Sequence, residues 1–327
     1  MRSVMSSVVA AAAALLALTA TPQTASAQDW PTRPIKIITP LAAGGAADIL
    51  GRTVGEALTL DVKQSVVIDN RPGGGGALAA LTVARAEPDG ATLLLGTAAA
   101  LTIGPVLVKN PPYDPAADLT ALTLAAELPV CLVVANSLPV RDIAELIAYA
   151  KANPGKLSFG SSGANTTHHL AGELLKVQAG IDMIHVPYRG GNPAMTDLLS
   201  GQIQVLFATL STAAPHIGSG RLRVLGTIEA TRSRTRPDIP TIGETVPGYA
   251  MPSSWLGFLA PPKLTDALTQ RMNAALVKAV NTPAARKTLA DNGFDVITST
   301  PAEFASILKQ GLERYRKIIA DAGIMAQ

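Results

Sequence analysis

A short β-rich run, a turn built from glycine and other small residues, and a helical pattern follow one another repeatedly along this chain. That order restricts the fold more than any other feature. Strands that alternate with helices form βαβ units, whose strands lie side by side in a sheet covered by the helices. The first unit runs from a strand at 33–39 through "PLAAGGAAD" into a helix ending near Leu58. A second strand at 65–69, the turn "NRPGGGG", a helix over 77–86 stopped by "EPDG" and a strand at 91–97 repeat it.

The alternation resumes after "CLVVA" at 131–135, with a helix over 142–155 and strands at 157–159, 183–186, 204–208 and 223–228. Helices are expected over 167–179 and 193–199. A polar, proline-bearing connector at 230–244 leads to a strand at 255–260 and three helices, at 265–280, 283–292 and 301–322. The pattern therefore predicts an α/β protein with two lobes, each a mostly parallel sheet flanked by helices. Lobe 1 would be discontinuous, 28–130 with 236–327, and lobe 2 would span 131–235. Two crossings between lobes would form a hinge with a cleft beside it.

Residues 1–27 read as a secretory signal peptide, with Arg2 near the start, an apolar run at 8–18 and the small-x-small signal Ala25-Ser26-Ala27. The apolar run is shorter than the roughly 20 residues that a spanning helix needs. A mature chain beginning at Gln28, soluble and periplasmic, is the expectation. Its length of about 300 residues exceeds an ordinary single core, in keeping with two lobes. The single cysteine, Cys131, lies in an apolar run and reads as a buried small hydrophobe. With 27 Lys plus Arg against 24 Asp plus Glu, and basic residues scattered, nothing favours nucleic acid.

Three turns carry candidate chemistry. In "PLAAGGAAD" the loop Leu41, Ala42, Ala43, Gly44, Gly45, Ala46 leaves the carboxyl end of a strand and opens a helix, where main-chain amides and the positive helix end suit an anion. It has no lysine and no Ser/Thr after its last glycine, which disfavours a nucleotide phosphate and leaves a carboxylate. Asp48 reads either as a helix-stabilising acid in the first turn or as a contact for a ligand hydroxyl, amine or bridging water. "NRPGGGGALAA" satisfies a relaxed G-x-G-x-x-A pattern, but the strand ends too early and no acid follows at the end of a next strand, so a packing turn is the better reading. No cofactor is implied.

"FGSSGANTTHHLAGE" places Ser161, Ser162, Gly163, Asn165, Thr166 and Thr167 around another helix start. The group is a capped loop or a second anion cradle. A secreted hydrolase using Ser162 and His169 is the rival from another class, although G-x-S-x-G is missing. His168 and His169 are adjacent and diverge on a helix, so a shared metal is not expected. "HVPYRGGNPAMTDLLSGQI" supplies a third loop with Tyr188, Arg189 and Gly190, in which Tyr188 and Arg189 could hold a substrate and Arg189 reads either as a carboxylate partner or, more often for one arginine in an exposed loop, as a surface charge.

Taken in order, "RPIKIITPLAAGGAAD", "VIDNRPGGGG", "PDGATLLLGT", "LIAYAKANPGKLSFGSSG", "HLAGE", "VPYRGGNPAMTDLLSGQI" and "PHIGSGRLRVL" resemble the extracytoplasmic solute receptors of tripartite tricarboxylate transporters, the Bug family, over essentially the whole mature chain. The resemblance implies a periplasmic binding protein-like (type II), Venus-flytrap fold, closing as a non-enzymatic monomer on a small organic acid that it delivers to membrane permease subunits. It also implies ligand carboxylates held by backbone amides and waters at the loops 41–48 and 161–167. On that basis one carboxylate is expected on the amides of 43–46 and the far end of the ligand on 161–166 with His169, while Tyr188, Gly190 and the Thr97 loop close the cleft. Leu41 stands where the family often has an aromatic residue, Asn165 where a loop glycine is common, and Ala208 where an acid often follows the phenylalanine. A receptor that reports to a membrane sensor is a further alternative.

Overall fold

The computed structural model describes residues 30–321 and 323, apart from 235. The expected signal peptide and its cleavage site lie outside the described residues, as does Ala322 at the end of the last expected helix. The chain opens with β1 (Ile35–Thr39), α1 (Ala46–Val62), β2 (Val66–Asn70), α2 (Ala77–Ala84) and β3 (Thr92–Thr97). β1 pairs in parallel with both β2 and β3. A π-helical stretch over Ala99–Ile103 then runs into the one-turn α3 (Gly104–Leu107). β4 (Thr120–Leu128) and β5 (Val130–Ala135) are separated by Pro129 alone, yet belong to different sheets. Proline donates no ladder hydrogen bond and fixes φ, which suits a residue at such a break.

The second sheet is built from β5, α4 (Ile143–Ala152), β6 (Ser158–Ser161), α5 (Thr167–Ala179), β7 (Ile184–Pro187), α6 (Gly191–Ser200), β8 (Val205–Thr209), α7 (Leu210–Ile217) and β9 (Leu222–Thr227). The chain then supplies β10 (Ser254–Ala260), α8 (Asp266–Val280), α9 (Pro283–Asp291), β11 (Asp295–Val296) and α10 (Pro301–Asp321). The strand orders are β11-β4-β10-β3-β1-β2 and β7-β6-β8-β5-β9. Both sheets are more mixed than the alternation of elements predicts. The βαβ segments give the parallel pairs, whereas β10 runs antiparallel to β3 and β4, and β5 antiparallel to β8 and β9. Parallel neighbours need a crossover within their own sheet; β5 and β10 enter from the other sheet and are not held to that geometry.

Both faces of the central strands are covered. On β5, Val130, Leu132 and Val134 join one apolar cluster while Cys131, Val133 and Ala135 join another across the sheet. This is the side-chain alternation of a strand buried on both faces. α10 spans two cores: Phe304 and Leu308 pack with Ile38, Leu94 and Trp255, while Tyr315, Ile318 and Ile319 pack with Phe159, Leu170 and Leu174. Close approach fixes two glycines. A Cβ on Gly172 of α5 would lie 2.2 Å from the Phe159 ring, and one on Gly257 of β10 would lie 2.3 Å from Phe304.

Both passages of chain between the sheets meet at one carboxylate. Glu229, just past β9, accepts a hydrogen bond from the Val130 N–H at 3.0 Å and from the Ser253 hydroxyl at 3.3 Å, the latter just ahead of β10. Burial pushes its carboxyl up to about 7. Among the described residues no helix is long and apolar enough to cross a membrane.

Candidate ligand-binding cleft

A cavity of about 410 Å³ opens between elements of the two sheets. From the first sheet come Pro40 and Leu41 after β1, Gly73, Gly75, Gly76 and Ala77 at the start of α2, and a stretch running from Thr97 to Tyr113. From the second come Ala164, Asn165 and Thr166 at the start of α5. The volume is that of a small-molecule site. Among the described residues no Lys, Arg, Asp or Glu lines it.

The loop after β1 is held by Asp48 through one carboxylate oxygen, Oδ2, while Oδ1 is buried with no partner among the described residues. Gly44, at φ +79°, donates its N–H to Asp48 Oδ2 at 2.9 Å, and Arg52 Nε donates to the same oxygen at 2.9 Å. The Arg52 bond leads the influences that hold the Asp48 carboxyl below its ordinary value. Asn70 Nδ2 fastens the loop from the neighbouring strand by donating to the Leu41 carbonyl at 3.0 Å. Glycine at the N-cap, Gly45, brings no side-chain acceptor to the first turn of α1. The amides of Ala46 and Ala47 therefore have no protein acceptor among the described residues.

The loop after β6 is tied by more of its own side chains. Thr166 caps α5, its Oγ1 accepting the His169 N–H at 3.3 Å and donating to the Gly163 carbonyl at 2.7 Å. Ser161 is fully buried; its Oγ donates to the Gly163 carbonyl at 2.9 Å, accepts the Gly163 N–H at 3.2 Å and lies 2.7 Å from His185 Nε2. Asn165, at φ +61°, donates its N–H to His169 Nδ1 at 3.1 Å. His169 stacks on His185 with ring centroids 4.0 Å apart, and His185 stacks on Phe159 at 4.9 Å. Burial is the first cause lowering the basicity of all three histidines of this region, with His168 and His185 brought to about 4. Neutral rings fit this geometry, since His169 Nδ1 must be unprotonated to accept from Asn165.

Four of the expected site residues, Leu41, Thr97, Asn165 and Thr166, line the cavity together. Ala42, Ala43 and Gly44 are exposed beside it and Gly45 and Ala46 are half-buried, none of them in its wall. Asp48 braces the loop. Ser161 and His169 fix the second loop from within, while Ser162 and Gly163 precede the lining residues without joining them. Tyr188 donates its hydroxyl to Asp197 at 2.7 Å, and neither it nor Gly190 lines the cavity. Arg189 is exposed and away from the wall.

The glycine run at 73–76 was expected only as a packing turn, and it is also wall. A Cβ on Gly76, at φ +95°, would lie 2.5 Å from Ala100 Cβ, so the absence of a side chain lets α2 start against the π-helical stretch. Pro111, Pro112 and Tyr113 were missed as well. A proline pair before an aromatic was the available signal, because prolines stiffen a loop that presents a ring. Tyr113 is buried, donates its hydroxyl to the Ala100 carbonyl and is pushed up to about 12 by burial.

The Ser162–His169 pair lacks the geometry of a nucleophile and base. No hydrogen bond joins them among the described residues, and His169 Nδ1 is taken by a backbone amide. The serine that does meet a histidine, Ser161, is closed to solvent. Among the described residues no cluster of His, Cys, Asp or Glu could hold a metal ion.

A family model described as the tripartite tricarboxylate transporter family receptor matches residues 50–324. A UPF0065 protein of Pseudomonas sp. (strain P51), from the tcbD-tcbE intergenic region, is 35% identical over 294 residues, covering 89% of this chain and 87% of that protein. Among solved structures, an R. palustris protein with adipate superposes with a TM-score of 0.83 at 32% identity, over 90% of this chain and 99% of that one. MatC from Rhodopseudomonas palustris, with bound malate, gives 0.79 at 27% identity, over 89% of this chain and 100% of that one.

Proposed function

This chain belongs to the tripartite tricarboxylate transporter receptor family, and on that premise we propose that it is a periplasmic receptor that captures a small organic acid between its lobes and hands it to membrane permease subunits. The observation that carries this reading is a cavity walled from both sheets, with a helix start on each side and no charged side chain in its lining. Relatives of the same fold hold adipate and malate. A carboxylate needs donors, and helix starts supply them without a cation. Asn165 is the donor closest to hand: its side chain has no partner among the described residues and it lines the cavity. The half-buried Ala46, whose amide has no protein acceptor among the described residues, adds a donor when the lobes approach.

The lobes divide at Pro129 and again between β9 and β10, with Ile242, Val246, Tyr249 and Met251 packed in the second lobe and the last turns of α10 resting on it. Pro129 and the stretch around Glu229 form the hinge, and a ligand that touches both sides draws the pair toward the closed state. The protein acts as a monomer after export, binds rather than transforms its ligand, and needs no cofactor.

Thermal unfolding in the presence of mono-, di- and tricarboxylates tests this reading. At least one acid should raise the melting midpoint, by the equivalent of about 2.7 kcal/mol at a hundredfold excess over its dissociation constant. The corresponding amides and esters should not. A chain stabilised by sugars or amines and by no organic acid would refute the proposal.

A further inference from the structure

The wall of the cleft narrows the class of acid, and this step rests on the carboxylate reading above. Leu41, Leu107, Val108, Pro111, Pro112 and the Tyr113 ring make up its apolar part. Four polar side chains line it, and three are committed to the protein. Thr97 Oγ1 accepts the Ala100 N–H at 3.1 Å, Tyr113 donates its hydroxyl to the Ala100 carbonyl, and Thr166 Oγ1 bridges the Gly163 carbonyl and the His169 N–H. Among the described residues that leaves the side-chain amide of Asn165, and the hydrogen on Thr97 Oγ1, to meet a ligand. The cavity thus has one available polar side chain from each side, and its other side chains are apolar or committed to the protein.

A carboxylate suits the Asn165 amide. Along the apolar wall, a ligand hydroxyl or ammonium would lose water and find no partner in exchange. An ammonium would also want an anion, and no acid lines the cavity. The nearby Asp48 accepts from Gly44 and Arg52 through Oδ2, and its unpartnered Oδ1 is buried outside the cavity wall. We propose that the ligand is an organic acid with an unsubstituted hydrocarbon body, aliphatic or aromatic, and that the cleft discriminates against hydroxy acids and amino acids of the same skeleton.

Calorimetric titration of the mature chain with matched pairs tests this: succinate against malate, adipate against 2-aminoadipate, phenylacetate against mandelate. In every pair that binds, the hydrocarbon member should be tighter by roughly 10- to 100-fold, the range in which apolar pockets reject an added polar group. Equal or reversed affinities overturn the inference and leave the carboxylate receptor standing. Binding of none of the six overturns the inference, and the wider thermal screen above then decides the carboxylate reading. Val108→Asn adds a second reading at a wall position that is 42% exposed, where the fold tolerates the change. It should weaken the hydrocarbon acids several-fold and narrow the gap within each pair, since the new amide offers the missing partner. An unchanged gap would place the ligand body elsewhere and sink the proposal.

Discussion

The loops after β1 and β6 occupy equivalent places, each leaving a strand and opening a helix, yet they solve the same problem differently. At α5 the loop is tied by its own side chains: Thr166 caps the helix, Ser161 ties Gly163, and His169 receives the Asn165 amide, while the Thr167 and His168 amides have no protein acceptor among the described residues. At α1 the cap is a glycine, and the one acid of the first turn looks back to hold the loop. Only the backbone demand is common to both, because any helix begins with amides that lack intrahelical acceptors. Both starts retain donors, and the difference lies in what fixes them: several side chains of its own at α5, one aspartate at α1.

The largest effect should come from removing the brace of the loop after β1. Asp48→Asn exchanges a buried charged acceptor for a neutral one, and a loss of about 2 kcal/mol at neutral pH is expected from hydrogen bonds to charged groups, the exposed Arg52 contributing the lesser share. Because the folded carboxyl sits below its ordinary value, its contribution is present above the unfolded value near 4 and fades as pH falls through the folded one. Urea unfolding of both proteins at pH 7 and in strong acid checks the sign; a gap that persists in acid would mean that charge does not hold the loop.

Thr166→Ala comes next. Loss of the α5 cap should cost about 1 kcal/mol in a denaturant melt and loosen the Gly163 carbonyl with it. A cost near zero would show that the second loop is not closed by its own side chains and would erase the contrast. Gly45→Ser is the smallest change and has the opposite sign. Serine should stabilise α1 by a few tenths of a kcal/mol, because glycine is already a fair cap. It also brings an acceptor to the amides reserved for the ligand, so acid affinity should drop in a titration. A firmer fold with unaltered affinity would remove the α1 start from the site.

Much of this arrangement was legible in the sequence. Gly, Pro and Asp punctuate the chain wherever a strand hands over to a helix, and the helix at 167–179 matches α5 residue for residue. β4 was not read, because "TALTLAAEL" is alanine- and leucine-rich and almost wholly buried, so it shows neither alternation nor β-branched enrichment. α7 was missed too, its apolar face being interrupted by Pro215 inside the helix. The cradles were found as loops, but local chemistry could not tell a residue that lines the cleft from one that props it. Ser161 and His169 carry the right atoms and direct them inward, since their partners, Gly163, His185 and Asn165, are assembled by tertiary packing. The walls at 73–77 and 105–113 come from stretches whose chemistry is mostly the lack of polar groups, which no motif records.

Cys131, the chain's one cysteine, is fully buried on β5 with its thiol directed at the Ala208 carbonyl, and burial pushes it up to about 12. An alkylating reagent in neutral solution thus meets a sulfur that is both hidden and un-ionised. Labelling can advance only as fast as the strand ladder around it comes apart. Mass gain over time in the unaltered protein is accordingly a stopwatch for disruption of that sheet, built in without an engineered probe.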